Sequence, residues 1–214
     1  MSDISSALAH FSDSERAEFN RRYDEICASE NPRPVVDGAL IDRFIDKYTA
    51  VHGTYKIVSK HSQIPAAVND FLSAHDLPTE MVMGNTDFLQ TIDWPDDWNI
   101  ERRTACKTDV TSVTDAICAI AETGTILIAS TPKVSATHFY LPENHVIIMD
   151  IGQLVRHLDD AMQLATQQLS EHSRGIHMIT GPSKTADVEQ TIQYGAHGPR
   201  RLHAIFVDSS TSAR

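Results

Sequence analysis

The sequence predicts an α/β fold: a parallel-rich, doubly wound sheet preceded by an N-terminal helical segment. Three observations carry this expectation. A strand, helix, strand alternation occupies 55–83, and three short apolar strands separated by helical stripes occupy 146–208. The 214 residues, 41% hydrophobic and 22% charged, suit one soluble domain with an appended segment. At this length roughly 70% of the unfolded chain's surface can be buried, so no disulfide or metal is needed to hold the fold.

The expected domains are a helical segment over 1–50 and an α/β domain over 51–214. Phe19, Tyr23 and Ile26 recur at helical spacing, and Ile41, Phe44, Ile45 and Tyr48 form the stripe of a second amphipathic helix. Asn31-Pro32-Arg33-Pro34 breaks the chain between them. A strand follows at 55–58, then a helix carrying Ile64, Val68, Phe71 and Leu72, then a strand at 81–83. The acidic, proline-broken stretch Asp93-Trp94-Pro95-Asp96-Asp97 fits a loop. Two apolar runs, 116–121 and 125–130, flank Glu122-Thr123-Gly124 as a hairpin. A strand at 146–150 leads into Ile151, Leu154, Val155, Leu158, Met162, Ala165 and Leu169, whose spacing predicts a helix of five turns. A strand at 177–180, a helix from Ser183 to about Tyr194 closed by Gly195, and a buried strand at 202–208 complete the pattern.

Charge excludes some partners. Eighteen Lys and Arg against 29 Asp and Glu give a net charge of -11, which disfavours nucleic acid or an anionic membrane. Residues 151–214 hold six basic and six acidic side chains, so the excess lies in 1–150, and the neutral C-terminal third is open to an anion. Cys27, Cys106 and Cys118 are odd in number and show no C-x-x-C spacing, so they read as thiols in a reducing compartment. The first ten residues lack the basic and apolar regions of a leader, and no apolar run can span a bilayer. The expected location is therefore cytoplasmic. The eleven histidines show no helical H-x-x-x-H spacing, so neither a tight metal site nor a cofactor is expected.

Two loops carry the candidate chemistry. In Ile179-Thr180-Gly181-Pro182-Ser183-Lys184-Thr185, a strand runs through a Gly-Pro turn into the expected helix. Unpaired N–H groups and the positive end of that helix would bind an anion, helped by Lys184 and the hydroxyls of Thr180, Ser183 and Thr185. The alternative is that Ser183 only caps the helix and Lys184 is solvated. A Walker A loop is excluded because Ser183, not glycine, precedes Lys184. In Gly195-Ala196-His197-Gly198-Pro199-Arg200-Arg201, His197 beside guanidinium groups is a candidate base and Arg200 a further anion contact; a structural turn or protein contact surface is the other reading. On simple doubly wound topology these two loops lie at opposite edges of the sheet. Glu122 is a candidate carboxylate or an exposed turn residue, and Asp115, seven positions earlier, falls on the opposite face of a regular strand.

These stretches carry a family resemblance. Ser112-Val113-Thr114-Asp115-Ala116, Ala121-Glu122-Thr123-Gly124-Thr125, Leu141-Pro142 with His145-Val146, Ile179 through Asp187 and Gly195-Ala196-His197-Gly198-Pro199-Arg200 resemble the LUD domain of the lactate utilization protein C family over roughly 50–208. The resemblance implies a fold similar to the NagB, RpiA and CoA-transferase group. It also implies a bacterial component that works with iron–sulfur partner proteins in oxidising L-lactate to pyruvate. Three cysteines cannot supply the clusters, so the expected role is that of a non-redox accessory subunit. The alternative is a stand-alone enzyme or binding module for a small anionic metabolite such as a phosphosugar, CoA ester or carboxylate.

Overall fold

The computed structural model describes residues 33–169, 173–186, 192–195 and 197–209, and, nearer the start, 12, 14–15, 17–18 and 21–22. Two compact units divide the chain, Met1–Val35 and Val36–Arg214. In the first, Glu18 pairs with Arg21 and Arg22, both at 2.8 Å, along a helical stretch. The helical stripe expected at Phe19, Tyr23 and Ile26 lies outside the described residues.

The second unit begins with α1 (Leu40–Ala50), so the expected boundary at residue 50 moves to 35/36. The reason is packing. Phe44 and Tyr48 are fully buried, stack with ring centroids 5.1 Å apart, and Phe44 meets Phe206 edge-on at 5.3 Å. The helix completes the core of the domain instead of standing before it.

A six-stranded, all-parallel sheet forms the centre. Its strands are β1 (Thr54–Val58), β2 (Glu80–Met83), β3 (Asn99–Glu101), β4 (Thr111–Asp115), β7 (Asn144–Asp150) and β12 (Arg201–Val207), in the order β1-β12-β7-β4-β2-β3. Two interior strands, β7 and β12, show period-2 burial on both faces. Val146, Ile148, Ile205 and Val207 pack with α2 (Ile64–Ala74) through Ile64, Val68, Phe71 and Leu72. Ile147, Met149, Ala204 and Phe206 face the other way, onto α1 and a second sheet. A Pro at the start of α2 removes an N–H that would have had no helical partner.

The second sheet is the main departure from the expected architecture. It comprises β5 (Cys118–Ile120), β6 (Thr125–Ser130), β8 (Leu154–Val155) and β9 (Gly175–Ile179), ordered β8-β5-β6-β9. The hairpin of β5 and β6 forms as expected, and β9 joins it antiparallel, in register from Ile126↔Ile179 to Ser130↔Gly175. The strand expected at 177–180 is therefore not part of the parallel sheet. Behind this second sheet Cys118, Ile120 and Leu127 pack on Ala161 and Ala165 of α5 (Leu158–Gln168). Short helices α3 (Asp87–Gln90) and α4 (Thr137–Tyr140) follow β2 and β6.

Two helix expectations fail for identifiable reasons. The stripe 151–169 is broken because Gly152 weakens a helix and Gln153 docks elsewhere. The Gln153 side chain accepts from the Asp150 N–H at 2.7 Å and donates to the Ala116 and Ile117 carbonyls at 2.9 and 3.1 Å. This swings Leu154 and Val155 into line with Ala119 and Ile120 as β8, and the helix starts only at Leu158. The expected helix from Ser183 to Tyr194 is instead a two-stranded antiparallel pairing of β10 (Lys184–Ala186) with β11 (Ile192–Tyr194). The Ser183 N–H donates to the Pro199 carbonyl at 2.8 Å and the Gly195 N–H to the Ser183 carbonyl at 2.9 Å. Long-range backbone bonds thus replace the local helical ones.

Candidate functional site

The turn between β5 and β6 gathers a polar constellation. Gly124, at φ +70°, lets it close: a Cβ there would lie 2.7 Å from the Tyr48 backbone nitrogen in α1. The turn holds Glu122 against His157, whose Nδ1 lies 3.0 Å from the Glu122 Oε2. The side chains retain 23% and 7% of their exposure, so water screens the pair little on the histidine side. A carboxylate accepts, so Nδ1 carries the proton and Nε2 is left as the acceptor of the neutral ring. The His157 ring is held in place because its residue starts α5, where its N–H donates to Asp160 at 3.2 Å.

Hydroxyls extend the constellation. Thr123 donates to Thr125 at 2.7 Å, and Thr125 pairs with Thr180 at 2.7 Å, just beyond β9. The next residue, Gly181, has φ +80°, and a Cβ there would stand 2.7 Å from the Val51 carbonyl oxygen. Both glycine turns therefore clasp the C-terminal end of α1. This is the structural reason for glycine at 181, and it replaces the expected turn into a helix N-terminus.

The two C-terminal loops that the sequence singles out fall into one neighbourhood. Because β9 belongs to the second sheet, Gly181 and Ser183 meet the loop before β12 instead of lying at the opposite edge. Ser183 bonds to Pro199 and Gly195, and a Cβ on Gly198 would come within 3.2 Å of the Ser183 Cβ. Lys184, His197 and Arg200 are exposed beside this contact. Lys184 and Thr185 stand on a strand, so no helix dipole supports an anion there. Glu122 stands next in sequence to the Thr123–Thr125–Thr180 hydroxyl chain and faces His157, whereas Asp115 stands at the far end of the hairpin. The sequence reading missed His157; the signal was an aspartate three residues on, a capping pattern hidden inside an apparently continuous helical stripe.

Other groups are structural by their surroundings. Arg103 grips Asp109 with two bonds of 2.8 and 2.7 Å and also reaches Glu101, which holds the Asp109 carboxyl well below the usual carboxylate range. Cys118 is buried, and burial pushes its thiol up to about 11; Cys106 is exposed. Among the described residues no three His, Cys, Asp or Glu side chains gather as metal ligands, and no helix is long and apolar enough to cross a membrane.

A parallel sheet backed on one face by helices and on the other by a second sheet, with polar turns converging beside α1, defines an α/β domain of mostly parallel strands. The chain belongs to the LUD domain family, whose profile matches residues 41–207. It is 37% identical over 123 residues to lactate utilization protein C of an Exiguobacterium species, covering 55% of this chain and 53% of that protein. It is 26% identical over 133 residues to lactate utilization protein C of Bacillus subtilis, covering 56% and 55%. A protein of Neisseria meningitidis serogroup B is 37% identical over 89 residues, 41% of this chain and 37% of its own length. The chain thus spans about half or less of the curated relatives it matches. A crystal structure of a DUF162 family protein from Deinococcus radiodurans shares the fold, with a TM-score of 0.60 and 19% identity over 81% of this chain and 99% of that one.

Proposed function

We propose that the protein is a non-redox component of L-lactate utilisation, acting with iron–sulfur partner proteins that oxidise L-lactate to pyruvate. The observation that carries this reading is membership of the LUD domain family together with relatives named lactate utilization protein C. Oxidation of L-lactate to pyruvate releases two electrons and two protons. The chain has three cysteines, too few for the thiolates of a four-cysteine cluster, so the electrons pass to the partners. The Glu122–His157 pair, with an acceptor nitrogen oriented by a carboxylate, is the group we assign to the working surface of this component, where it can take up a proton. The test is growth of a deletion strain on L-lactate as sole carbon source. We expect loss of growth, rescue by the wild-type chain, and poor rescue by folded Glu122→Gln. Normal growth of the deletion strain would refute the role.

A second reading, a binding module for a small carboxylate or phosphate, is favoured by one observation: the Ser183 loop and the Gly195–Arg200 loop meet, which places Lys184 and Arg200 on exposed surface beside shared backbone contacts. Its residues are Thr180, Gly181, Ser183, Lys184, Thr185 and Arg200, with His197 as the adjacent base. Charge reversal by Lys184→Glu should weaken phosphate or L-lactate binding by about 1–3 kcal/mol in a titration, the range for a hydrogen bond to a charged group. Unchanged affinity would remove this reading.

A further inference from the structure

A separate pocket of about 210 Å3 opens at the carboxyl edge of the parallel sheet. It is distinct from the Glu122 turn: β5 runs from the pocket wall at Ile117 to that turn, five residues or roughly 16 Å of extended chain. Its place in the topology is specific. From β2 the chain continues outward to β3, whereas from β4 its next strand in the same sheet is β7, on the other side. Connections therefore leave in opposite directions between β2 and β4. In open α/β sheets such a switch point leaves a crevice beyond the strand ends, where ligands bind.

The chemistry of this crevice centres on Asp115, the last residue of β4. The Thr86 hydroxyl accepts from the Leu89 N–H at 3.3 Å and shares the pocket wall with Asp115, whose charged form it favours. Burial pushes that carboxyl above the usual carboxylate range, and the neighbouring Asp87 pushes it the same way. Lys133, the nearby cation, is held by Asp87 at 2.5 Å. Among the described residues none of the pocket's lining side chains is basic; its polar groups are Thr86, Asp115, Thr131, Gln168 and Ser173. A carboxylate withdrawn from water is unfavourable unless a cation and further hydrogen bonds compensate it. Among the described residues the hydroxyls are supplied and no cation lines the pocket.

We propose that this pocket binds a small organic cation, an amine-bearing metabolite whose ammonium pairs with Asp115 and whose other polar atoms meet the hydroxyls of Thr86, Thr131 and Ser173. The volume sets the size: it equals that of about seven waters, so the ligand has on the order of ten non-hydrogen atoms or fewer. The site is independent of the lactate role. L-lactate and phosphate, both anions, are excluded by the same charge that selects an amine.

The test is calorimetric titration of the full chain with ethanolamine, putrescine and choline, and with L-lactate, phosphate, potassium and magnesium as the contrasting probes. At least one amine is expected to bind, and Asp115→Asn, which keeps the shape, should weaken it at least tenfold. The same variant should melt at or above the wild-type temperature, because the buried charge is gone. Ala129→Leu provides the second variant: it fills the pocket without touching its charge and should also abolish amine binding. The proposal is overturned if no amine in the set binds, if binding survives both variants, if lactate or phosphate takes the pocket instead, or if potassium or magnesium alone shows the Asp115 dependence. It is also overturned if Asp115→Asn unfolds the chain while Ala129→Leu still binds the amine, since Asp115 would then be structural.

Discussion

Lowering the pH from 7.5 to 5 should strip several kcal/mol of stability from this protein through three histidines in its core. His145 on β7 is fully buried; its Nε2 meets the Thr114 hydroxyl at 2.8 Å, its Nδ1 has no partner among the described residues, and burial, with His138 nearby, pushes its pKa down to about 3. His138 is pushed down to about 4, chiefly by burial. His203 on β12 stacks on Phe71 with centroids 4.7 Å apart, bonds to Thr54 at 2.9 Å, and is pushed down to about 4 by burial and then by His75 and Lys56. All three are neutral in the fold and bind a proton at about pH 6.5 when unfolded. Above that pH they add no pH dependence. Below it the unfolded chain takes up protons that the native state refuses, so stability falls by about 1.4 kcal/mol per pH unit for each histidine until the native values near 4 are reached. At pH 5 this amounts to about 2 kcal/mol each and about 6 kcal/mol together, comparable to the whole stability of many domains. Urea titrations at half-unit steps would read the effect, and His203→Gln should reduce the slope by about a third. A flat stability profile from pH 7.5 to 5 would refute the reasoning, because it would mean that these rings are protonated or hydrated in the native state.

Further predictions are local. Gly124→Ala and Gly181→Ala each force a side chain into a left-handed backbone and onto α1, and should cost roughly 2–4 kcal/mol in thermal or urea unfolding, whereas Gly152→Ala, with nothing within 4 Å, should stay within about 0.5 kcal/mol. Arg103→Ala leaves the Asp109 carboxylate without its two-bond partner. The Asp109 carboxyl, measured by NMR titration, should then return toward the ordinary range. Glu122→Gln should release the His157 ring from its fixed tautomer, visible as a changed nitrogen pattern in the histidine NMR spectrum, at a stability cost of about 1–2 kcal/mol.

The parts of the fold that could be read in sequence are those whose burial is dictated locally. The runs at 146–150 and 202–208 are apolar on both faces, which only a central parallel strand needs, and they became β7 and β12. The failures arose where long-range bonds overrode local preference. Nothing adjacent to Ser183 announces that its N–H will reach Pro199, and nothing adjacent to Gln153 announces the Ala116 and Ile117 carbonyls. The site was legible as motifs but not as an assembly. Glu122 and His157 are 35 positions apart, and placing β9 in the wrong sheet put Gly181 and Gly198 at opposite edges. The Asp115 pocket was hidden for the same reason: its groups run from Thr86 to Ser173, and only the strand order brings them together.

The position of β12 sets a constraint on biosynthesis. Among the described strands the last in chain order, β12, lies between the first, β1, and β7, with Thr54 paired to His203 across 149 positions. As the chain leaves the ribosome, the edges of β1 and β7 that will flank β12 have no partner until residue 207 has been synthesised. The sheet therefore cannot close in stages from its N-terminus, and a nascent chain stalled short of that strand carries open apolar edges of the kind that chaperones hold. Closure of the sheet thus waits on one late insertion, of β12 between β7 and the edge strand β1.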